Sequence, residues 1–290
     1  MIVSASYKTD IPAFYGEWFA KRLKAGFARV KNPYGGPPFT VSLKPEDVDG
    51  FVFWTRNAEP FLPVLKSVQR RGMPFYIQYG LLGYPAALDR STIEAPRAIN
   101  DIGHLTDAFG PGRVVWRYDP VVLSSLTPMA WHEHQFGRIA AALEGKVDEV
   151  VVSFLQVYRK TARNLNAAAR DHGFSWEEPI EAAKVALLTS LKGIAAHHGM
   201  TLTVCGQPEF LDVAGEARCI DPARLSRVAG REIAAPSKSH RSGCACAASR
   251  DIGAYDTCLG GCAYCYAVAS RKTAQANHAR HDPEGEFLIS

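Results

Sequence analysis

Short apolar runs without polar alternation recur along the chain and are separated by stretches with helical spacing. Ile2–Ser6, Gly50–Thr55, Pro74–Tyr79, Arg113–Tyr118, Glu149–Phe154 and Thr201–Cys205 are rich in Val, Ile and aromatic residues, the pattern of parallel strands buried on both faces. Ile11–Ala25, Pro60–Arg71, Ser91–Phe109, Thr127–Glu144 and Trp176–His198 carry apolar positions three and four residues apart. In Thr127–Glu144 the expected cap is Thr127, with Pro128 as first helical residue and Phe136, Ile139, Ala140 and Leu143 on one face. Six strand–helix alternations predict an α/β fold, either a doubly wound sheet or a partial or complete parallel β/α (TIM-like) barrel. Asn32–Phe39 and Ala234–Gly243 read as the two clear loops.

At 290 residues and 47% hydrophobic, the chain can bury one large core, which excludes disorder. It contains no apolar run of membrane-spanning length, and its first residues lack the basic-then-apolar order of a signal peptide, so the expected setting is soluble and cytoplasmic. The net charge of +4 is small. It concentrates between Ala223 and Asp282, where nine Lys and Arg face four acids. Such a basic stretch reads as a solvated face, as compensation for bound thiolates, or as a contact for nucleic acid or phosphorylated substrate.

The cysteines change the picture. None occurs before residue 205, and all seven (Cys205, Cys219, Cys244, Cys246, Cys258, Cys262, Cys265) then follow within one stretch. In a reducing compartment such clustering points to metal, not disulfides. The expected organisation is therefore a β/α body over 1–204 and a cysteine-rich, iron–sulfur segment over 205–290 that completes the same barrel. Cys258-Leu-Gly-Gly-Cys262-Ala-Tyr-Cys265 has the spacing C-x3-C-x2-C. Three thiolates on one loop can ligate three irons of a [4Fe-4S] cube and leave the fourth open, while Gly260 and Gly261 let the backbone curl around it.

This loop resembles the cluster motif of the radical S-adenosylmethionine superfamily, with Tyr264 in the aromatic place before the last cysteine. The resemblance implies a [4Fe-4S] cluster whose open iron is chelated by S-adenosylmethionine, with Tyr264 near the adenine and an electron donor such as flavodoxin or ferredoxin. Most members carry the loop in the first third of the chain, after the first strand of a partial barrel. Here it lies near the C-terminus, and a circular permutation reconciles the two. Arg250–Asp256 would then be the strand before the loop, Tyr266–His281 the helix after it, and Ile2–Ser6 the next strand. The superfamily's Gly-Gly-Glu segment has no counterpart, and Ser4, Ser6, Thr9 and Asp10 would bind in its place. The whole chain also resembles an uncharacterised bacterial family, a domain of unknown function, through Ser4–Tyr15, Phe53–Asn57 and Trp116–Pro120.

Strand ends supply the remaining candidates, because active groups in parallel α/β folds collect there. Polar residues follow all six runs, among them Lys8, Trp54, Thr55, Gln78, Tyr79, Ser153, Gln156, Gln207 and Glu209. Lys8, Arg56 and Arg117 suggest an anionic small-molecule or phosphorylated substrate, oriented by Asp10 or Asp119. Arg117 and Asp119 also fit an internal ion pair. Cys205, Cys219, Cys244 and Cys246 are expected to hold a second [4Fe-4S] cluster, because neither Cys244-Ala-Cys246 nor the separated Cys205 and Cys219 has the C-x2-C spacing usual for zinc; a zinc ion is the alternative, as is Cys205 as a buried strand residue. His132-Glu133-His134 lacks zinc-protease spacing and reads as packing or surface. The reading from another class is a zinc- or iron–sulfur-stabilised nucleic-acid-binding protein, and a third is an iron–sulfur Lewis-acid enzyme that never uses S-adenosylmethionine.

Overall fold

The structure is a computed structural model describing residues 1–289 other than Tyr34 and His240. The strands are β1 (Ile2–Ala5), β2 (Phe27–Val30), β3 (Phe39–Ser42), β4 (Gly50–Thr55), β5 (Phe75–Gly80), β6 (Val114–Val121), β7 (Glu149–Phe154), β8 (Thr201–Val204), β9 (Gly215–Glu216) and β10 (Ser249–Asp251). The helices are α1 (Ile11–Phe14), α2 (Gly16–Ala25), α3 (Leu62–Arg70), α4 (Ala95–Phe109), α5 (Met129–Leu143), α6 (Arg159–His172), α7 (Glu181–His197), α8 (Pro222–Ala229) and α9 (Arg271–Ala279). None of the described helices is long and apolar enough to cross a membrane.

Eight strands form one parallel sheet in the order β10-β1-β4-β5-β6-β7-β8-β9, and β2 and β3 pair as a separate antiparallel hairpin. From β1 to β9 the order never reverses, so the sheet lacks the switch point of a doubly wound fold. Side-chain alternation confirms the choice. Phe51, Phe53, Phe75, Ile77, Trp116 and Val152 pack with residues of α2 through α7 in one apolar cluster. Their neighbours Val52, Tyr76, Val115 and Val151 face the other way, onto Leu225 of α8 and onto Cys219, Ile220, Ile233 and Cys246. With α2 through α7 on one face of an unreversed parallel sheet, and only α8 against the other, the arrangement is that of a partial β/α barrel. No ladder joins β9 to β10 among the described residues, so the sheet stays open there.

Several elements differ from their sequence expectation for identifiable reasons. The Ile11–Ala25 helix breaks at Tyr15 (φ −134°), whose hydroxyl donates to the Thr257 carbonyl at 2.7 Å. Thr127 does not cap α5, nor is Pro128 its first residue: Pro128 is the N-cap, and the Thr127 hydroxyl donates to the Val122 carbonyl instead. The expected helix over Trp176–His198 starts only at Glu181, beyond Pro179. Helix α6 and the β2–β3 hairpin were not anticipated. The Asn32–Phe39 loop joins that hairpin; its Tyr34, like His240 of the Ala234–Gly243 loop, lies outside the described residues.

His132 is a packing residue, fully buried in α5, where the Tyr118 hydroxyl meets Nδ1 at 2.9 Å and the Val122 carbonyl meets Nε2 at 3.0 Å. Burial pushes its pKa down to about 4. The fold thus favours the neutral ring, so this contribution is complete above the ordinary value near 6.5 and is lost as pH falls toward 4. The expected loss is about 3 kcal/mol at 1.36 kcal/mol per unit. Denaturation midpoints at pH 4, 5 and 7 check it: His132→Gln should flatten the acid decline, and an unchanged slope would contradict the assignment.

Candidate iron–sulfur site

The cysteine loop lies between β10 and α9, and β10 runs parallel beside β1, with Ser4 opposite Asp251. The permuted order expects this neighbour, but the strand is only Ser249–Asp251 and not Arg250–Asp256, and the helix after the loop is Arg271–Ala279 and not Tyr266–His281. The loop is tied down by backbone bonds from Ser91 to the Gly260 carbonyl (3.1 Å) and from Ala263 to the Leu88 carbonyl (2.8 Å). Gly261 takes the left-handed conformation (φ +69°) that lets the chain turn between the first two cysteines. A Cβ on Gly260 would stand 3.5 Å from Cys258 Sγ and 3.7 Å from Cys262 Sγ, so both sulfurs lie close to this glycine.

Each of the three sulfurs accepts an N–H. Gly260 N donates to Cys258 (3.5 Å), Ala267 N to Cys265 (3.3 Å) and Arg56 Nη1 to Cys262 (3.1 Å). Burial, then the nearby Asp10 and Cys265, push the Cys258 thiol up to about 12; burial raises Cys262 and Cys265 as well. As free thiols the three stay protonated, so loading them with metal releases protons.

Asp89, which sequence reasoning missed, organises the surroundings of Cys262. Arg56 grips its carboxylate with both terminal nitrogens (2.8 and 2.5 Å), and the Tyr264 hydroxyl donates to it at 2.6 Å. Charge-assisted forked bonds of this type fix geometry strongly. Arg56 is therefore a partner of the cysteine loop and not a free anion anchor. Tyr264 is buried, with its ring edge-on to Tyr84.

The residues expected to replace the Gly-Gly-Glu segment are mostly committed elsewhere. Ser4 and Ser6 each donate to the Asp251 carboxylate at 2.9 Å, and Lys8 pairs with it at 3.4 Å. Asp10 caps α1 through the Ala13 N–H and also accepts the backbone N–H of Arg56, while burial raises its pKa to about 6. Thr9 differs: its buried hydroxyl has no hydrogen-bond partner among the described residues. Asp251 was also missed, because a lone aspartate at a strand end has no sequence signature.

The strand-end residues share the carboxyl edge of the parallel sheet, but they do not all face the same side of it. Alternation sends Tyr79 and Tyr118 toward the helices, where their hydroxyls meet Asp101 and His132. Gln78, Arg117, Asp119 and Ser153 meet instead beside the second cysteine set. Arg117 pairs with Asp119 at 2.5 Å, bonds Gln78 at 3.3 Å and lies over the Trp54 ring; Ser153 donates to Asp119. Burial alone would raise Asp119, but Arg117 outweighs it and holds the carboxyl below its usual range. The internal ion pair is thus the arrangement present, and Lys8, Arg56 and Arg117 each already have a carboxylate partner. Glu209 stands exposed on a short 3-10 turn.

In the second set, Cys205 and Cys219 are in contact at 3.4 Å, and Cys244 and Cys246 lie before β10. Among the described residues, no three His, Cys, Asp or Glu side chains already surround one ion-sized point. A surface depression lined by Gly112, Glu144, Lys146, His197 and His198 lies at the opposite end of the sheet, where β6, β7 and β8 begin, away from both cysteine sets. Chemistry in parallel barrels belongs to the carboxyl end, so this depression is no part of the candidate site.

A family model described as a domain of unknown function, DUF1848, matches residues 2–267, a span that includes both cysteine sets. No curated protein matches the chain.

Proposed function

The chain belongs to the DUF1848 family, and for it we propose an iron–sulfur enzyme of the radical S-adenosylmethionine type. One observation carries the reading. The C-x3-C-x2-C loop follows a strand lying parallel beside β1, and it keeps Cys258 and Cys262 both close to Gly260, with an N–H donor on every sulfur. Three thiols on one short glycine-containing loop suit three corners of a cube. Cys258, Cys262 and Cys265 would hold such a cube, which would supply an open iron and, as in the superfamily this loop resembles, one-electron reduction of S-adenosylmethionine.

The chain's own residues position and shield. Arg56 places a fixed positive charge on Cys262 and is itself held by Asp89 and Tyr264. Asp251 ties β10, and thus the root of the loop, to the residues after β1. Thr9, with its unpartnered hydroxyl, is the group after β1 best suited to bond a cofactor. A substrate, small or phosphorylated, would meet Trp54 and the Arg117–Asp119 pair, and an electron donor such as flavodoxin or ferredoxin would approach the loop side.

Anaerobic purification followed by chemical reduction with S-adenosylmethionine tests this. The expected result is brown protein, about four irons held by the loop as one cube, and 5′-deoxyadenosine in the products. Iron-loaded protein that binds no S-adenosylmethionine and forms no 5′-deoxyadenosine would select the Lewis-acid reading instead. Protein with an iron-free loop would remove both.

A further inference from the structure

Four cysteines have no part in the proposed function, and their positions in the fold are telling. Cys205 directly follows β8, Cys219 lies between β9 and α8, and Cys244 and Cys246 precede β10. They come from the two ends of the open sheet. The Cys205 and Cys219 sulfurs are 3.4 Å apart, and Ile220 N, next to Cys219 in the chain, donates to Cys246 Sγ at 3.4 Å, which brings Cys246, and Cys244 two residues before it, to the same place. Two guanidiniums touch these sulfurs: Arg117 Nη1 lies 2.9 Å from Cys219 Sγ, and Arg241 Nη2 lies 3.3 Å from Cys205 Sγ.

We propose that Cys205, Cys219, Cys244 and Cys246 hold a single tetrahedral zinc ion that clasps the open side of the barrel. Spacing decides between the two ligands that four thiolates suit. With Zn–S bonds of about 2.3 Å, the sulfurs of a tetrahedron lie about 3.8 Å apart, close to contact. A cube holds each cysteine sulfur on a different corner iron and so keeps them well apart. Cys205 and Cys219 are in contact, which is single-ion spacing. Among the described residues the four thiols do not yet surround one ion-sized point, so binding the ion would draw Cys244 and Cys246 onto the Cys205–Cys219 pair.

Charge and chemistry balance without any redox step. Four thiols and one Zn²⁺ give a tetrathiolate of charge −2 and release four protons. Arg117 and Arg241 stand against that charge, with Arg117 shared with Asp119. The ion would replace the ladder absent between β9 and β10 among the described residues, joining the end of β8 to the segment entering β10. That segment leads to the other cysteine loop, so the clasp also steadies its root.

The test compares the anaerobically purified full chain with a Cys258→Ser/Cys262→Ser/Cys265→Ser variant, using elemental analysis and zinc-edge X-ray absorption. Both should carry about one zinc per chain with four sulfurs at about 2.3 Å. Cys219→Ser should lose the zinc, and Cys244→Ser, at a half-buried position, provides the same readout if the first variant does not fold. About eight irons in the wild type and four in the triple variant would overturn the proposal, as would the absence of zinc or a shell with nitrogen or oxygen ligands. Zinc present beside an iron-free loop would leave this inference standing and defeat the radical reading.

Discussion

Cys262→Ala is expected to strip the loop of its iron, about four atoms per chain, and to reduce 5′-deoxyadenosine formation to the level of a protein-free blank. Two thiolates remain after the change, and they leave half of a cube's corners without protein. The fold should survive it. Cys262 is only half-buried, and the Arg56–Asp89–Tyr264 group that surrounds it keeps its internal bonds when the sulfur is removed. Iron analysis beside far-ultraviolet circular dichroism separates the two effects. Retained iron in a folded variant would show that Cys262 is not a ligand.

Asp251→Ala is expected to cost about 3–5 kcal/mol of stability, the range for removing one partner of a buried ion pair. The carboxylate is 8% exposed and accepts from the Ser4 and Ser6 hydroxyls and from the backbone N–H of Tyr7 (3.1 Å) and Gly253 (3.0 Å). Lys8, also 8% exposed, would be left with a buried charge and no carboxylate opposite. The damage falls on the seam between β1 and β10, so iron retention should decline along with the urea midpoint. A midpoint within experimental error of wild type would mean that Asp251 does not hold the seam.

What the sequence revealed follows from which interactions are local. Gly50–Thr55 and Glu149–Phe154 have the same bounds as β4 and β7, because a strand buried on both faces is apolar at nearly every position. Helix α6 escaped notice because its buried residues, Thr161 and Leu165, form a narrow stripe in a polar segment. The hairpin of β2 and β3 was hidden by strands of four residues around a glycine- and proline-rich loop. Among the site residues, Cys258, Cys262 and Cys265 were legible because cluster spacing is written in adjacent positions. Asp89 and Arg241 were not, because the first reaches Arg56 and the second reaches Cys205 only through the folding of distant segments. Alternation likewise separated Tyr118 from Arg117, its neighbour in the chain.

The most direct measurement is Mössbauer spectroscopy of the iron-57-enriched, anaerobically purified chain, with and without S-adenosylmethionine. The expected spectrum is that of one [4Fe-4S] cube in which a single iron changes its parameters when S-adenosylmethionine is added. A loop without iron, or a cube whose four irons are indifferent to the added molecule, would contradict an open corner on Cys258, Cys262 and Cys265.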